Sequence, residues 1–215
     1  FRQDRYELCM YDFSRDMFAG TGIGEVNTII RSLHKPGVWV NLSQTPHVMR
    51  LTQRNMKVRV EEDINIGGVT GLVEDKDGNL WISKWTDINV KRPDKDDLVV
   101  SGSDVPVMTS LFNDVKGEVL GLSHESKIYR LSCADGRITC ELKDSISSLL
   151  EKEEVNSVCI DRKGRLWLNT TLGRILRSDE TMHKFENVSL DNEIDDCTVL
   201  GLLSDKNSVW IITNK

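Results

Sequence analysis

The sequence predicts an all-β protein of the β-propeller class, and a repeated phrase carries that prediction. Tryptophan recurs in short apolar segments at Trp39, Trp81, Trp167 and Trp210, and Leu120 takes the same place in a fifth copy. We call these five residues the anchors. The steps between them are 42 (39 to 81), 39 (81 to 120), 47 (120 to 167) and 43 (167 to 210). A period of about 40 residues with strand-like content is typical of propellers, in which each repeat forms one four-stranded blade.

The segment before each anchor predicts a hairpin between the first two strands of a blade. In residues 69–83 and 155–170, an apolar strand is followed by Asp-x-x-Gly and then by the strand that holds the anchor. The Asp side chain accepts hydrogen bonds from backbone N–H groups two residues on, and glycine adopts the positive φ that closes the turn. Variants of this turn, the first without the Asp, lie at 32–37, 114–117 and 205–208.

Apolar segments after the anchors predict the outer strands of each blade. Third strands are expected at 48–51, 88–90, 128–131 and 175–177, and a more polar fourth strand at 137–142. Inner strands of a propeller are buried between neighbouring blades, whereas the outermost strand meets water. We expect the anchors to be core residues, because a large rigid apolar group fills the gap between adjacent blades.

Three segments depart from the repeat. Residues 145–154 break the strand pattern and place Ile146, Leu149 and Leu150 on one helical face, which predicts a short helix. The chain starts in the outer strands of one blade and stops after the second strand of another. We therefore expect a single propeller region over 1–215, about five repeats with a partial blade at each end. Either the two terminal halves combine into one blade or, as we favour, the chain is a fragment of a larger propeller.

Composition limits the functions open to the chain. Its 28 Lys and Arg against 34 Asp and Glu give a formal net charge of −6, and a nucleic-acid surface needs clustered basic residues. No run approaches the roughly 18 apolar residues of a membrane-spanning helix. The sequence has no phosphate-binding loop, nucleophile elbow, dinucleotide fingerprint or zinc-peptidase motif. We predict no catalytic residue, no cofactor, no metal, no nucleic-acid partner and no membrane contact by this segment.

The cysteines do not indicate a metal site, because they are odd in number, five, and lack C-x-x-C spacing. Cys133 and Cys140 flank the turn at Asp135-Gly136 and are either free or joined by a disulfide across the hairpin. Cys159 lies in an inner strand and is interpreted as a small buried apolar residue.

The loops between second and third strands define where a binding site is expected. In a propeller, these connections share one face with the loops between blades. Trp85, the one tryptophan outside the repeat, lies in such a loop, where an exposed indole suits a sugar ring or a protein partner. Alternatively, Trp85 folds back onto its own blade. The candidate ligand-binding residues are Gln44, Lys84, Trp85, Asp87, His124 and Asn169.

The phrase Gly-Leu-Val-Glu-Asp-Lys-Asp-Gly-Asn-Leu-Trp-Ile-Ser at 71–83, echoed at 155–170, resembles the two-component regulator propeller repeat. The resemblance extends over 25–214 and is most specific at these two copies. Repeats of this family fill the extracytoplasmic sensor regions of hybrid two-component histidine kinases, notably in Bacteroides-type bacteria. There they detect glycan fragments and regulate polysaccharide utilisation.

The resemblance implies a periplasmic, non-catalytic sensor segment that binds an oligosaccharide and forms a homodimer through its parent protein. Further blades, an immunoglobulin-like domain, a membrane span and a histidine kinase would belong to that parent. No ligand-binding residue of the family maps onto this sequence through a motif.

Two other functions fit the repeat. Virginiamycin-B-lyase-like propellers carry a similar Asp-x-x-Gly-x-Leu-Trp phrase, and such an enzyme needs a metal and a catalytic histidine on the channel face. His124 is the histidine nearest that position. A protein-interaction scaffold needs neither. Magnesium-dependent turnover would indicate the lyase, stabilisation by oligosaccharides without turnover the sensor, and neither effect the scaffold.

Overall fold

Antiparallel sheets of up to four strands follow one another along the chain. The computed structural model describes residues 2–4, 7–9, 26–42, 45–54, 57–150, 153–189, 198–205 and 208–214. They fall into two compact units, 1–68 and 69–215, which we describe separately. The predicted class, all-β with blades of four antiparallel strands, is confirmed. The single region over 1–215 stays a prediction.

The first unit contains a four-stranded sheet, sheet I, in the order β3-β4-β5-β6 and a two-stranded hairpin of β1 and β2. The strands are β1 (Arg2–Asp4), β2 (Glu7–Cys9), β3 (Val26–Arg31), β4 (Val38–Leu42), β5 (His47–Arg54) and β6 (Lys57–Asn65). Trp39 lies in β4 and is 5% exposed, as predicted for an anchor. Beside it, Val40, Leu42, Met49 and Leu51 form the core of the sheet.

Sheet I closes its first turn without the missing aspartate. Ser32 N donates to Gly37 O at 3.2 Å, and the buried Arg50 guanidinium donates to Pro36 O at 2.7 Å. Glu62 holds Arg50 in place through a 2.9 Å ion pair. Gly37 has φ 115°, and a Cβ there would lie 2.1 Å from the carbonyl oxygen of Leu51. The turn therefore requires glycine, and it is held by an arginine that donates to a backbone carbonyl, whereas the turn aspartates of other sheets accept from backbone N–H groups.

The second unit contains sheets II to V. Sheet II is β7 (Val69–Glu74), β8 (Leu80–Lys84), β9 (Ile88–Lys91) and β10 (Leu98–Val100), and sheet III is β11 (Met108–Asn113), β12 (Val119–Ser123), β13 (Lys127–Ala134) and β14 (Arg137–Ser145). Sheet IV is β15 (Val155–Ile160), β16 (Leu166–Thr170), β17 (Ile175–Ser178) and β18 (Phe185–Asn187), and sheet V is β19 (Val199–Ser204) and β20 (Val209–Thr213). A helix, α1 (Ser147–Leu150), connects sheets III and IV.

The first strands of sheets II to V lie side by side, as the inner strands of propeller blades do. Asn113 Nδ2 on β11 donates to Glu74 O on β7 at 2.7 Å. Leu202 N on β19 donates to Ser157 Oγ on β15 at 2.9 Å. Side chains therefore supply bonds between neighbouring inner strands, which have no continuous ladder with each other.

How deeply each anchor is buried depends on what packs over its sheet. Trp81 is 2% exposed and Leu120 3% exposed, as predicted, and Trp167 is half-buried. The prediction is wrong for Trp210, which is 58% exposed. Sheet V has two strands among the described residues, so no third strand of its own sheet lies beside β20 to help cover the indole there.

The first strand of each of sheets I to V carries a β-bulge near its start. The sequence did not indicate this feature. The register shifts between Val26 and Thr28 in β3 and between Val69 and Gly71 in β7. The same shift recurs in β11, β15 and β19. A bulge adds one unpaired residue and increases the local twist.

The predicted helix in 145–154 is confirmed as α1. Ile146 and Leu150 are each 1% exposed and join the core between sheets III and IV. Leu149, the third residue of the predicted apolar face, is 37% exposed. The helix has four residues, barely one turn.

Candidate functional site

The turn aspartates of sheets II and IV bind the anchor indoles of the same sheets. Asp75 Oδ1 accepts from the backbone N–H groups of Asp77 and Asn79, both at 2.9 Å. Asp75 Oδ2 accepts from Trp81 Nε1 at 2.7 Å. Asp161 repeats this arrangement, with Trp167 Nε1 at 2.9 Å. These carboxylates are therefore structural groups with their oxygens occupied.

Asp161 carries additional contacts from arginine. Arg165 Nε donates to Asp161 Oδ2 at 2.7 Å, and the guanidinium groups of Arg165 and Arg177 lie 5.9 and 5.4 Å from the centroid of the Trp167 ring. Burial of the Asp161 carboxyl acts to raise its pKa, but hydrogen bonds from Trp167, Arg165 and the backbone lower the pKa overall. The group is thus held as a carboxylate.

The predicted site around Trp85 is partly assembled. The Trp85 side chain is 68% exposed in the loop between β8 and β9, so it does not fold back onto its sheet. Lys84 Nζ and Asp87 Oδ2 form an ion pair at 3.4 Å. Burial acts to raise the pKa of Asp87, but hydrogen bonds from Thr86 and Asn89 and the nearby Lys84 lower it overall. The loop presents an apolar ring beside a fixed pair of charges.

The other three candidate residues have different positions. His124 is exposed in the loop between β12 and β13. Asn169 is fully buried and accepts from Ser157 Oγ, while its Nδ2 donates to Val199 O at 3.3 Å. Asn169 therefore joins β16 to neighbouring strands and is not free to bind a ligand as found. Gln44 lies outside the described residues, and the prediction for it is untested.

Two cavities lie on the side of the second unit that carries the Asp-x-x-Gly turns. An open cleft of about 550 Å³ is bordered by Arg165, Arg177 and the loop 179–184. A second cavity of about 460 Å³ lies between sheets III and IV and is lined in part by Leu120 and Ile128. Neither is lined by the candidate residues listed from the sequence, so sequence reasoning missed both.

The described residues include the free thiols of Cys133, Cys140 and Cys159. Cys133 and Cys140 are free, so the disulfide alternative is not realised. Burial, and secondarily the charge of Asp161, raises the pKa of the Cys159 thiol to about 12. Within the described ranges, no three His, Cys, Asp or Glu side chains are grouped to hold a metal ion. No helix there is long and apolar enough to span a membrane.

Solved structures similar to this chain are β-propellers. A streptogramin B lyase matches with a TM-score of 0.60 and 17% identity over 87% of this chain and 61% of its own. The extracellular domain of a hybrid two-component system from B. thetaiotaomicron matches with a TM-score of 0.61 and 14% identity over 88% of this chain and 26% of its own. YCF48 bound to D1 peptide matches with a TM-score of 0.59 and 11% identity over 90% and 75%.

These identities establish the fold alone. The chain spans 61% of the length of the streptogramin B lyase and about a quarter (26%) of the two-component domain. A comparison with curated protein sequences found no match.

One segment of the chain also matches the model of a particular propeller family. Residues 63–83 match the family model of the two-component regulator propeller. The matched segment ends with β7, the turn at Asp75 and β8, and therefore includes the Asp75–Trp81 bond described above. It contains residues 71–83, which carry the resemblance to this family in the sequence, and the resemblance is confirmed there.

Proposed function

We propose that this chain is part of the periplasmic sensor region of a hybrid two-component signalling protein, where it detects glycan fragments that regulate polysaccharide utilisation. The match of residues 63–83 to the two-component regulator propeller supports this most directly. The Asp–Trp bond within that match recurs at Asp161 and Trp167, so the matched segment is one of a series. The similar extracellular domain from B. thetaiotaomicron supports the proposed location.

The loop between β8 and β9 has the chemistry that a sugar ligand needs. An exposed indole offers a flat apolar face to the C–H groups of a pyranose ring, and its polar edge remains available. Lys84 and Asp87 flank Trp85 in the same loop and form an ion pair, and the ammonium group of Lys84 is the donor that we assign to the ligand. We assign the ligand contact of the sensor to this loop, and the kinase activity and the homodimer contact to the parent protein.

The test is binding of oligosaccharides without turnover. Panels of plant and host glycan fragments are added to the chain, and the midpoint of thermal unfolding is measured with product analysis in parallel. We expect one class of oligosaccharide to raise the midpoint, and Trp85→Ala to abolish that shift. Leu172→Ala is the matched control, because Leu172 is also exposed, at 76%, in a loop between second and third strands.

The rival functions give different results. Magnesium-dependent turnover of a small substrate, lost in His124→Ala, would establish a lyase. If the chain shows neither turnover nor stabilisation by any oligosaccharide, the interaction scaffold is the remaining function. The sequence of the full-length gene offers an independent check, since a sensor requires a membrane span and a histidine kinase core beyond the propeller.

A further inference from the structure

Sheet III lacks the indole that other sheets place beside the turn carboxylate. In sheet II, Trp81 Nε1 donates to Asp75 Oδ2 at 2.7 Å. Leu120 holds the equivalent position in sheet III, because it pairs with Phe112 as Trp81 pairs with Val73. The two anchors thus occupy equivalent positions in their sheets, but the leucine side chain is smaller and has no N–H group to donate.

The second donor to the carboxylate is missing as well. Asn79 Nδ2 also donates to Asp75 Oδ2, at 2.9 Å, but the corresponding residue in sheet III is Glu118, an acceptor. Asp114 Oδ1 keeps its turn bonds from Lys116 N and Glu118 N at 2.8 and 2.9 Å. Among the described residues, none donates to Asp114 Oδ2. The carboxylate is half-buried, whereas that of Asp75 is buried.

A cavity lies beside the residue that carries this unused oxygen. It measures about 460 Å³, within the usual range for small-ligand pockets, and Asp114 and Leu120 line it. Ile128 of sheet III adds an apolar wall, and Met182 and Gly164 contribute from sheet IV. Asp144 and Glu180 also line it, and the carboxylate of Asp114 is the one equivalent to the acceptor of the Trp81 N–H in sheet II.

The charges around the cavity favour a neutral ligand. Arg130 pairs with Glu118 at 3.2 Å, and His183 Nδ1 lies 2.7 Å from Asp144 Oδ2, so these four groups already have partners in the chain. The exposed Lys116 and other rim lysines can approach the face of an aromatic ring.

We propose that this cavity binds an indole-type ring, which packs beside Leu120 and donates its N–H to Asp114 Oδ2. The ligand thus takes the place that a tryptophan of the chain takes in sheets II and IV. The site is separate from the Trp85 loop, and the inference does not rest on the proposed sensor function.

Calorimetric titration of the whole chain with indole, N-acetyltryptophanamide and 1-methylindole tests the proposal. We expect saturable binding of indole, and binding of 1-methylindole at least about tenfold weaker because it has no N–H to donate to the carboxylate. Binding of both indole and N-acetyltryptophanamide would identify a tryptophan side chain as the natural group. Binding of indole alone would identify a free small molecule.

Two variants locate the binding. Leu120→Trp places an indole in the cavity and should abolish indole binding while raising the thermal midpoint. Asp114→Asn keeps an oxygen for the turn but puts an amide donor in place of Oδ2, and should weaken indole binding about tenfold without changing 1-methylindole binding. The proposal is overturned if indole does not bind, if 1-methylindole binds equally well, or if indole affinity is unchanged in both variants.

Discussion

At the scale of single residues, the second oxygen of a turn carboxylate decides how an anchor is held. Asp75 Oδ1 closes the turn, and Oδ2 satisfies the N–H of Trp81, which would otherwise be buried without a partner. The turn function of Asp75 follows from local chemistry and was predictable. Its bond to the indole was signalled by the spacing of Asp and Trp, six residues apart here and at Asp161, but reading it required the hairpin geometry.

Asp75→Asn tests this bond. The asparagine oxygen can still accept the turn bonds, but its amide then faces the Trp81 N–H, donor against donor. We expect the free energy of unfolding in urea to fall by about 1–3 kcal/mol. Asp114→Asn is the matched control, because Leu120 has no N–H, and should cost less than about 1 kcal/mol. Equal losses in the two variants would contradict the role assigned to the indole bond.

Asp161 predicts a loss of stability in acid. Its pKa is lower in the folded chain than in the unfolded chain, because the hydrogen bonds from Trp167 and Arg165 outweigh burial. The stabilisation is therefore complete above the unfolded pKa of about 4 and disappears as the pH falls through the lower, folded value. Urea unfolding between pH 7 and pH 3 should show a shallower pH dependence for Asp161→Asn. Asp96→Asn, on an exposed loop, should follow the parent chain.

At the scale of elements, the sheets repeat more closely than their sequences do. Each first strand has its bulge near the start, although the residue at the shift is Asn27, Thr70, Thr109, Asn156 or Leu200. No shared side chain marks the position, so no motif was available to predict it. The bulge increases the twist of an inner strand, and the twist that packing requires depends on the neighbouring sheets.

Residues 146–150, which consist of Ile146 and helix α1, provide a test of packing at this scale. Ile146→Ala removes a side chain that is 1% exposed between sheets III and IV, and should lower the free energy of unfolding by about 2–4 kcal/mol. Leu149→Ala, three residues on and 37% exposed, should cost less than about 1 kcal/mol. Urea denaturation curves compare the two variants. A larger loss at Leu149 would show that the other face of the helix is the buried one.

At the scale of the whole molecule, the tryptophans divide by exposure rather than by repeat. Trp39 and Trp81 are buried, whereas Trp210 shares the repeat with them and is exposed. Trp85 stands outside the repeat and is the most exposed of the five, at 68%. The position of a tryptophan in the repeat therefore does not determine how accessible its side chain is.

Acrylamide quenching of tryptophan fluorescence should reveal this division. Trp85→Phe combined with Trp210→Phe should remove most of the readily quenched emission, because both indoles are more than half exposed. Trp39→Phe should leave the readily quenched fraction nearly unchanged. If the double variant is quenched as easily as the parent chain, the exposure of these two residues in solution is not as described.

The sequence by itself determined the class of fold, the turns and most strands. The Asp-x-x-Gly turns and the apolar segments around Trp81 and Trp167 act over a few residues, and local chemistry is legible in a sequence. Only the tertiary structure decided which side chains are accessible. Asn169 is buried and donates to Val199 on another strand, Trp210 is exposed on a sheet that has two strands among the described residues, and Leu120 borders a cavity between sheets III and IV. The burial of a side chain depends on what packs against its sheet, and the spacing of the repeats does not predict that packing.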